Sequence, residues 1–381
     1  MSALNPHSGT DASATGVQEC QPVVEVEVLD GEPSEVAYGV AAPVWIPEPA
    51  FEEESDSTDD DNKDEDEAEN PDWFNQCCVA DHVKDFKAKQ KSHAGGGSAA
   101  VVLRESLLWD PGQEITYAFL GGTPNQQETV RKAMSEWMRY ANIQFKKTPI
   151  EQGAQSHIRI AFNPKDGNWS RVGLSALDFV TTKATANFCG INEEVEATKA
   201  QMGVVLHEIG HILGLKHEHQ SPSLKGLLTW IESEVKAYFK KKCKWTQNQT
   251  KAQVLDPEDA KQLTSYTHLD LKSIMMYPMP KSTNMFGLGK KGIVFPENTA
   301  LSTYDKAFIG IHYPFLQGNP RSPAWTFERS LKEVGCGEYE MGRAMELFNE
   351  GDWKSIRRSF EDIYYTVRVR KNLEVETQLF D

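Results

Sequence analysis

The stretch of sequence that decides the fold reads His207-Glu208-Ile209-Gly210-His211-Ile212-Leu213-Gly214-Leu215-Lys216-His217. On a helix of 3.6 residues per turn, His207 and His211 project from one face, where two imidazole rings can bind one Zn²⁺. Glu208 lies beside the first histidine and faces water at the metal. Catalytic zinc sites use three protein ligands, and Gly214 allows the chain reversal that brings His217 to the metal.

The simpler interpretation of these histidines is that they are ordinary core residues. A lone histidine on an apolar helix is usually of that kind, and a bare HExxH match arises by chance in a long chain. Here Gly214 and His217 follow at fixed offsets inside a segment that is independently predicted to be helical, which favours the metal site. His219 is the nearest competing ligand, but its offset departs from the motif, so we leave it out of the ligand set.

The motif lies in a segment that the sequence predicts to be one buried helix, from Glu196 to Leu213. This segment contains no proline, and Gly214 provides a natural stop. Its apolar residues recur at spacings of three and four, the period of a helix. They are Met202, Val205, Leu206, Ile209, Ile212 and Leu213.

The sequence before the motif predicts a sheet with a covering helix. Strands are predicted at Ile115–Phe119, Ile143–Phe145 and His157–Phe162 from their β-branched and alternating residues. Between the first two strands, apolar residues at helical spacing predict an amphipathic helix. Those residues are Val130, Ala133, Met134 and Trp137.

The net charge of −16 is unevenly distributed along the 381 residues. Residues 1–75 contain 21 acidic side chains and one lysine, whereas the other 306 residues contain 35 acidic and 39 basic side chains. Such a run of like charges repels itself and cannot bury enough apolar surface to offset the entropy lost on ordering. We therefore predict that residues 1–95 are a disordered acidic tail.

Composition also disfavours several classes of protein. No apolar run approaches the roughly 18 residues that cross a bilayer, so no membrane span is expected. Met1–Gly16 lacks the basic and apolar regions of a signal peptide, which predicts an intracellular or non-classically secreted protein. The Lys240–Lys244 run is short and isolated, so we interpret it as a solvated helix face and expect no nucleic-acid partner.

Six cysteines, including adjacent Cys77 and Cys78, show no zinc-ribbon spacing and leave the disulfide state open.

The sequence resembles the metzincin clan of zinc metallopeptidases, in which a methionine-containing turn follows the extended histidine motif. Ser273–Tyr277, which reads Ser-Ile-Met-Met-Tyr, is similar to that turn. The resemblance implies that Met275 forms an apolar floor under the zinc site, with Met276 as its neighbour.

Within the clan, the chain is similar to the astacin family, because Glu218 directly follows the third histidine and Tyr277 lies two residues after Met275. In astacins the matching tyrosine stabilises the oxyanion, so the resemblance implies that role for Tyr277. The stretch Trp169–Gly173 is similar to the edge strand of astacins, and Leu301–Pro314 is similar to their closing helix. The resemblance covers residues 111–317 and implies that Trp169, Ser170 and Arg171 form a substrate-binding edge strand.

These expectations describe an α+β protein. Its centre is a metzincin-type zincin domain at residues 100–317, with a twisted, mostly parallel sheet, a backing helix and an active-site helix. The acidic tail at residues 1–95 precedes it. Residues 318–381 carry two apolar stripes at helical spacing on either side of Gly351, which predicts a small helical C-terminal extension.

The resemblance implies a zinc-dependent endopeptidase that acts on a peptide or protein substrate. One Zn²⁺ per subunit would be bound by His207, His211 and His217, while Glu208 accepts a proton from the attacking water and returns it to the leaving amine. The alternative is a zinc-binding pseudopeptidase that serves as a protein-interaction module. A pseudopeptidase is expected to lack the glutamate that acts as general base. Because Glu208 is present, the sequence favours an active enzyme. The oligomeric state and the cleavage specificity stay open.

Overall fold

A five-stranded sheet forms the first part of the fold. The computed structural model describes residues 107–224, 227–257, 265–286 and 290–380, so the predicted tail at 1–95 and the Cys77–Cys78 pair lie outside the described residues. The spatial order of the strands is β2-β1-β3-β5-β4, with β4 antiparallel to β5 and the other pairs parallel. The predicted mostly parallel sheet is therefore confirmed. Its strands are β1 (Glu114–Phe119), β2 (Gln144–Lys147), β3 (Ile158–Ala161), β4 (Trp169–Ser170) and β5 (Ala186–Asn187).

The boundaries of all three predicted strands differ from the prediction by one or two residues. The second strand runs from Gln144 to Lys147, because its ladder with β1 continues as far as the pair Tyr117 and Lys147. His157 lies just before β3, where its Nδ1 accepts a hydrogen bond from the backbone N–H of Thr116 at 3.1 Å. The His157 side chain therefore bonds to β1 at a position where the sequence predicted that residue 157 would be part of the strand.

Two helices cover the sheet and define where the histidines lie. Helix α1 (Pro124–Met138) packs against helix α2 (Lys199–Ile212), and the indole Nε1 of Trp137 donates a 2.9 Å hydrogen bond to the carbonyl oxygen of Leu206. Helix α2 begins at Lys199 and not at the predicted Glu196, because Thr198 is its N-cap. The Thr198 hydroxyl accepts from the Gln201 backbone N–H while the Gln201 side chain accepts from the Thr198 N–H.

The C-terminal end of α2 is held by a Schellman-type turn. The N–H of Leu215 donates to the Gly210 carbonyl at 2.9 Å and the N–H of Gly214 donates to the His211 carbonyl at 2.8 Å. Gly214 has a φ of 100°, a conformation that favours glycine. Two remaining helix carbonyls accept hydrogen bonds from distant side chains. Trp109 Nε1 donates to the Ile212 oxygen at 2.8 Å, and the Tyr313 hydroxyl donates to the Leu213 oxygen at 2.7 Å.

The chain after α2 contains a small antiparallel sheet that the sequence analysis did not predict. Its strands are only two or three residues long, too short to show an alternating pattern. The predicted Lys-rich helix face is found in the last turn of α3, where positive side chains interact favourably with the helix dipole. The elements here are β6 (Leu228–Trp230), α3 (Glu232–Cys243), α4 (Gln247–Thr250), β7 (Asn284–Phe286) and β8 (Lys290–Lys291).

Four further helices follow, and the last of them packs into the same core as α2. The apolar face of α8 includes Ile356, Phe360, Ile363 and Val367, which belong to one buried cluster with residues of α1, α2 and the first sheet. The boundaries proposed at residues 100 and 317 stay predictions. No helix in the described parts of the chain is long and apolar enough to span a bilayer. The four helices are α5 (Thr303–His312), α6 (Phe327–Glu333), α7 (Glu338–Glu350) and α8 (Trp353–Phe380).

Candidate metal centre and active site

Three buried histidines converge at the C-terminal half of α2. His207 and His211 lie one turn apart on the helix, and His217 follows the turn at Gly214. One ring nitrogen from each histidine lies within 4.8 Å of the others, and the Nε2 atoms of His211 and His217 are 3.2 Å apart. The structure therefore brings together the three histidines that the sequence singled out.

The other nitrogen of each ring, Nδ1, is held by an acceptor from a different part of the chain. Nδ1 of His207 donates to the Ile274 carbonyl at 2.8 Å, and Nδ1 of His211 donates to the Leu215 carbonyl at 2.8 Å. Nδ1 of His217 donates to the side-chain oxygen of Gln220 at 3.0 Å. Because these oxygens can only accept, the proton lies on Nδ1 and the lone pair of each Nε2 faces the common centre.

Burial keeps the three rings neutral. It lowers the pKa of His207 to about 4, and it lowers the pKa of His211 and of His217 well below the usual value, with neighbouring histidines acting in the same direction. Neutral imidazole is the form that binds a metal ion. The three rings are therefore already in the neutral protonation state that binds a metal ion.

Two further observations show that zinc fits this arrangement. Nε2 of His207 is buried, and it has no hydrogen-bond partner among the described residues. Such an atom is costly unless it meets a ligand. In addition, the 3.2 Å between Nε2 of His211 and Nε2 of His217 is close to the edge of a tetrahedron with Zn–N bonds of about 2.0–2.1 Å, which is about 3.3–3.4 Å.

Glu208 lies next to the first histidine on α2 and is completely buried. The hydroxyl of Ser170, on the edge strand β4, lies 2.9 Å from Oε2 of Glu208 and 2.7 Å from the Glu208 carbonyl oxygen. A carboxylate in this position can exchange a proton with water at the metal.

Tyr277 packs beside the histidines. Its ring centroid is 4.4 Å from that of His217 and 5.7 Å from that of His207, and the side chain is buried. His219, the competing ligand, contacts the same ring. Nε2 of His219 donates to the Gln253 carbonyl at 2.8 Å and its Nδ1 accepts from the Tyr277 N–H at 3.4 Å, so both nitrogens are engaged away from the metal centre.

Met275 lies directly beneath α2. A Cβ atom added to Gly210 would lie 2.5 Å from the Met275 sulfur, which shows how closely the thioether approaches the helix between His207 and His211. Met276 points elsewhere and belongs to a second apolar cluster with Tyr277 and Phe239. The two adjacent methionines therefore pack in different cores.

A cluster of buried carboxyl groups lies behind the methionine turn. The turn is tied to the N-terminus of α5, because Asp305 accepts from the Ile274 N–H and the Ser273 hydroxyl, both at 2.8 Å. Glu218 accepts from the Asp270 N–H at 2.9 Å. These side chains line a cavity of about 30 Å³, which is large enough for one water molecule.

Burial raises the pKa of every member of this cluster. The pKa of Glu218 is well above its usual value because of burial and the neighbouring Asp270. Burial also raises the pKa of Asp270, and it raises that of Asp305 to about 6, where the charge of Asp270 acts in the same direction.

The three residues predicted to form a substrate-binding strand occupy different environments. Strand β4 forms the edge of the sheet and contains Trp169, which is half-buried, and Ser170, which faces α2. Arg171 lies just after the strand, where its guanidinium carbon is 3.7 Å from the centroid of the Phe179 ring. Its backbone N–H still pairs with the Thr185 carbonyl at 2.9 Å.

Sequence reasoning missed the side chain of Gln220 and the contact between Ser170 and Glu208. Gln220 follows His217 by three residues in the turn Glu218–Gln220, and that spacing is the only sequence signal of their contact. Ser170 was expected to serve the edge strand, but nothing in its sequence position indicates that its hydroxyl reaches Glu208. That contact joins residues 38 positions apart.

Comparison with known proteins supports the fold and the candidate zinc site. The sequence model described as Astacin (Peptidase family M12A) matches residues 102–287. The solved structure of myroilysin shares 30% sequence identity with this chain at a TM-score of 0.51, over 56% of this chain and 98% of myroilysin. The chain belongs to the astacin family. The astacin-like resemblance and the metzincin-type fold are therefore confirmed, and the three histidines are the candidate site for the zinc on which astacins depend.

Curated relatives match over shorter stretches. The zinc metalloproteinase dpy-31 of Caenorhabditis elegans is 30% identical over 138 residues, which are 35% of this chain and 21% of that protein. Tolloid-like protein 1 of Mus musculus is 27% identical over 150 residues, which are 39% of this chain and 13% of that protein. The chain thus matches about a fifth or less of the length of these relatives, and α5 to α8 lie beyond the family match.

Proposed function

We propose that this chain is a zinc-dependent endopeptidase that binds one Zn²⁺ through His207, His211 and His217. The observation that carries the proposal is the convergence of three buried, neutral histidines next to the carboxyl group of Glu208. The peptidase family implies that the substrate is a peptide or a protein. When bound, the zinc ion would supply Lewis acidity, which lowers the pKa of water and polarises a peptide carbonyl.

The side chains around the metal have separate roles in this proposal. Glu208 accepts a proton from the attacking water and then returns it to the nitrogen of the leaving amine. The Tyr277 hydroxyl donates a hydrogen bond to the oxyanion that develops on the substrate carbonyl. Strand β4 holds an extended substrate by main-chain hydrogen bonds along the edge that no other described strand pairs with, and Trp169, Ser170 and Arg171 supply that edge.

The acceptors on Nδ1 prepare the site for the metal. The Ile274 and Leu215 carbonyls and the Gln220 side chain fix the orientation of the three rings, which removes rotational freedom that metal binding would otherwise have to restrict. Met275 supports α2 from below at Gly210. We infer that this packing keeps His207 and His211 at a constant separation.

Peptide hydrolysis by zinc-loaded wild type and by Glu208→Gln tests the proposal. General acid–base catalysis contributes about 10²- to 10⁴-fold, so we expect a loss of that size in kcat with unchanged zinc content. The matched control is Glu196→Gln, which changes a glutamate that is 81% exposed and paired with Lys132. A zinc-loaded wild type that hydrolyses no member of a peptide library would instead favour the pseudopeptidase. Full activity of Glu208→Gln would remove Glu208 from the mechanism.

A further inference from the structure

Ser170 connects the edge strand to the carboxyl group of Glu208. Its side chain is completely buried and points toward α2, while the neighbouring Trp169 is partly exposed. We propose that Ser170 is a positioning residue, which fixes the Glu208 carboxylate relative to the strand that holds the substrate. This inference rests on the proposed function, because it assigns the device that orients the proposed base.

The contact geometry gives Ser170 two points of attachment on one residue. Its Oγ lies 2.7 Å from the Glu208 carbonyl oxygen and 2.9 Å from Oε2 of the same residue. The carbonyl oxygen belongs to the backbone of α2 and cannot move independently of the helix. Because Oγ carries a single proton, it shares that proton between the two oxygens in a three-centre hydrogen bond, which links Oε2 to the backbone of α2.

This attachment limits the freedom of a long side chain. Glutamate loses up to about 2 kcal/mol of side-chain entropy when it is confined to one rotamer. A hydrogen bond from a fixed hydroxyl favours the rotamer that keeps Oε2 in contact with Ser170. The carboxylate is then oriented before substrate arrives, which is the condition for efficient proton transfer.

The backbone of Ser170 belongs to the strand that is proposed to hold the substrate. Ser170 pairs with Ala186 of β5 on one side of β4, and the other side of β4 pairs with no strand among the residues that the structure describes. Alternate side chains of a strand point to opposite faces, so the Ser170 side chain can reach α2 without obstructing that edge. One residue thus sets the distance between the base and a substrate strand bound along β4.

Replacement of the hydroxyl tests the role. Ser170→Ala removes the donor and changes little volume, and a hydrogen bond to a charged group is strong enough to predict a 10- to 100-fold loss in kcat. We expect KM to change less than about twofold and the zinc content to stay the same, because neither the edge of β4 nor the histidines are altered. Ser170→Thr restores a hydroxyl and should recover most of the loss.

Two comparisons separate positioning from a structural effect. Ser175→Ala is the matched control, because the Ser175 hydroxyl donates to the Val172 carbonyl in the adjacent turn and does not contact Glu208. This variant should keep the kcat of the wild type. In the Glu208→Gln background, Ser170→Ala should cost less than about twofold, because the group that it positions is already inactive.

Crystal structures of the zinc-loaded wild type and Ser170→Ala provide a readout that does not depend on activity. We expect one Glu208 rotamer in contact with Ser170 in the wild type, and a displaced or multiple Glu208 rotamer in the variant. An unchanged rotamer together with unchanged kcat in Ser170→Ala would overturn the inference. A wild type without peptidase activity would refute the proposed function, while the rotamer comparison would still decide whether Ser170 holds the carboxylate.

Discussion

Arg357 donates a 2.7 Å hydrogen bond from Nη2 to the carbonyl oxygen of Trp109, which lies 248 residues earlier in the chain. Trp109 in turn donates from its indole to the carbonyl oxygen of Ile212, at the end of α2. The same guanidinium donates from Nε to the carbonyl oxygen of His312 at 2.9 Å. The C-terminal helix α8 is therefore connected through two side chains to the helix that carries His207 and His211.

Arg357→Lys tests this connection. A lysine carries a single ammonium group and cannot reproduce the planar fork that reaches both carbonyl oxygens, so one buried acceptor is left without a partner. We expect the free energy of unfolding to fall by about 1–3 kcal/mol, measured by urea denaturation. Arg358→Lys, at the exposed neighbouring position, should change it by less than about 0.5 kcal/mol. Equal stabilities of the two variants would contradict the prediction.

Gly210→Ala tests the approach of Met275 to α2. The added Cβ would lie 2.5 Å from the Met275 sulfur and 3.3 Å from the Trp137 ring, so side chains in a packed core must move. Overpacking of this kind costs about 1–3 kcal/mol of stability. The control is Gly342→Ala on α7, where nothing lies within 4 Å of the new Cβ and helix propensity predicts a small gain. A Gly210→Ala protein as stable as the wild type would show that the contact is loose.

Gln220→Ala tests the orientation of His217. The substitution removes the acceptor on Nδ1 of His217, and loss of such an outer partner typically lowers metal affinity about 10- to 100-fold. Competition with a chelator measures the zinc affinity. Gln249→Ala, in the exposed capping box of α4, is the matched control and should bind zinc like the wild type. Unchanged affinity of Gln220→Ala would mean that the ring is oriented by packing alone.

Asp305→Asn tests the pH dependence of stability. Because burial raises the pKa of Asp305 to about 6, the folded state binds a proton that the unfolded chain releases near pH 3.9. The contribution of this group to stability is therefore fully present below about pH 4 and falls as the pH rises to about 6. An asparagine can keep the acceptor for Ile274 and donate to Ser273.

The measurement is the difference in free energy of unfolding between the wild type and Asp305→Asn across this range. We expect the difference to change with pH, because effects common to both proteins cancel. Gln249→Ala, which changes no titratable group, should give a flat difference. A flat difference for Asp305→Asn would show that Asp305 does not take up a proton in this range.

Tyr277→Phe tests the proposed oxyanion donor. The substitution keeps the ring that packs on His217 and removes only the hydroxyl. We expect kcat to fall about 10²-fold, the usual effect of losing one oxyanion donor, with unchanged zinc content. The control is Tyr365→Phe, which changes a tyrosine that is 59% exposed on α8. Activity equal to the wild type would assign oxyanion stabilisation to other groups.

Local patterns in the sequence were sufficient to predict the features that repeat along a single element. A 3.6-residue period places His207 and His211 on one face of α2, and Gly214 supplies the backbone conformation that turns the chain toward His217. The β-branched and alternating stretches likewise predicted three strands of the first sheet. These features depend on local geometry, so a local pattern is sufficient to predict them.

The contacts that distant residues make with those elements are visible only in the folded chain. The Ser170 hydroxyl reaches Glu208, Asp305 holds the methionine turn, and Arg357 reaches Trp109 across most of the chain. Each contact joins residues that share no period, since hydrogen bonds between elements depend on how the elements pack and not on their spacing in sequence. The short strands β6 to β8 were missed for a related reason, because two or three residues acquire strand geometry mainly from their neighbours.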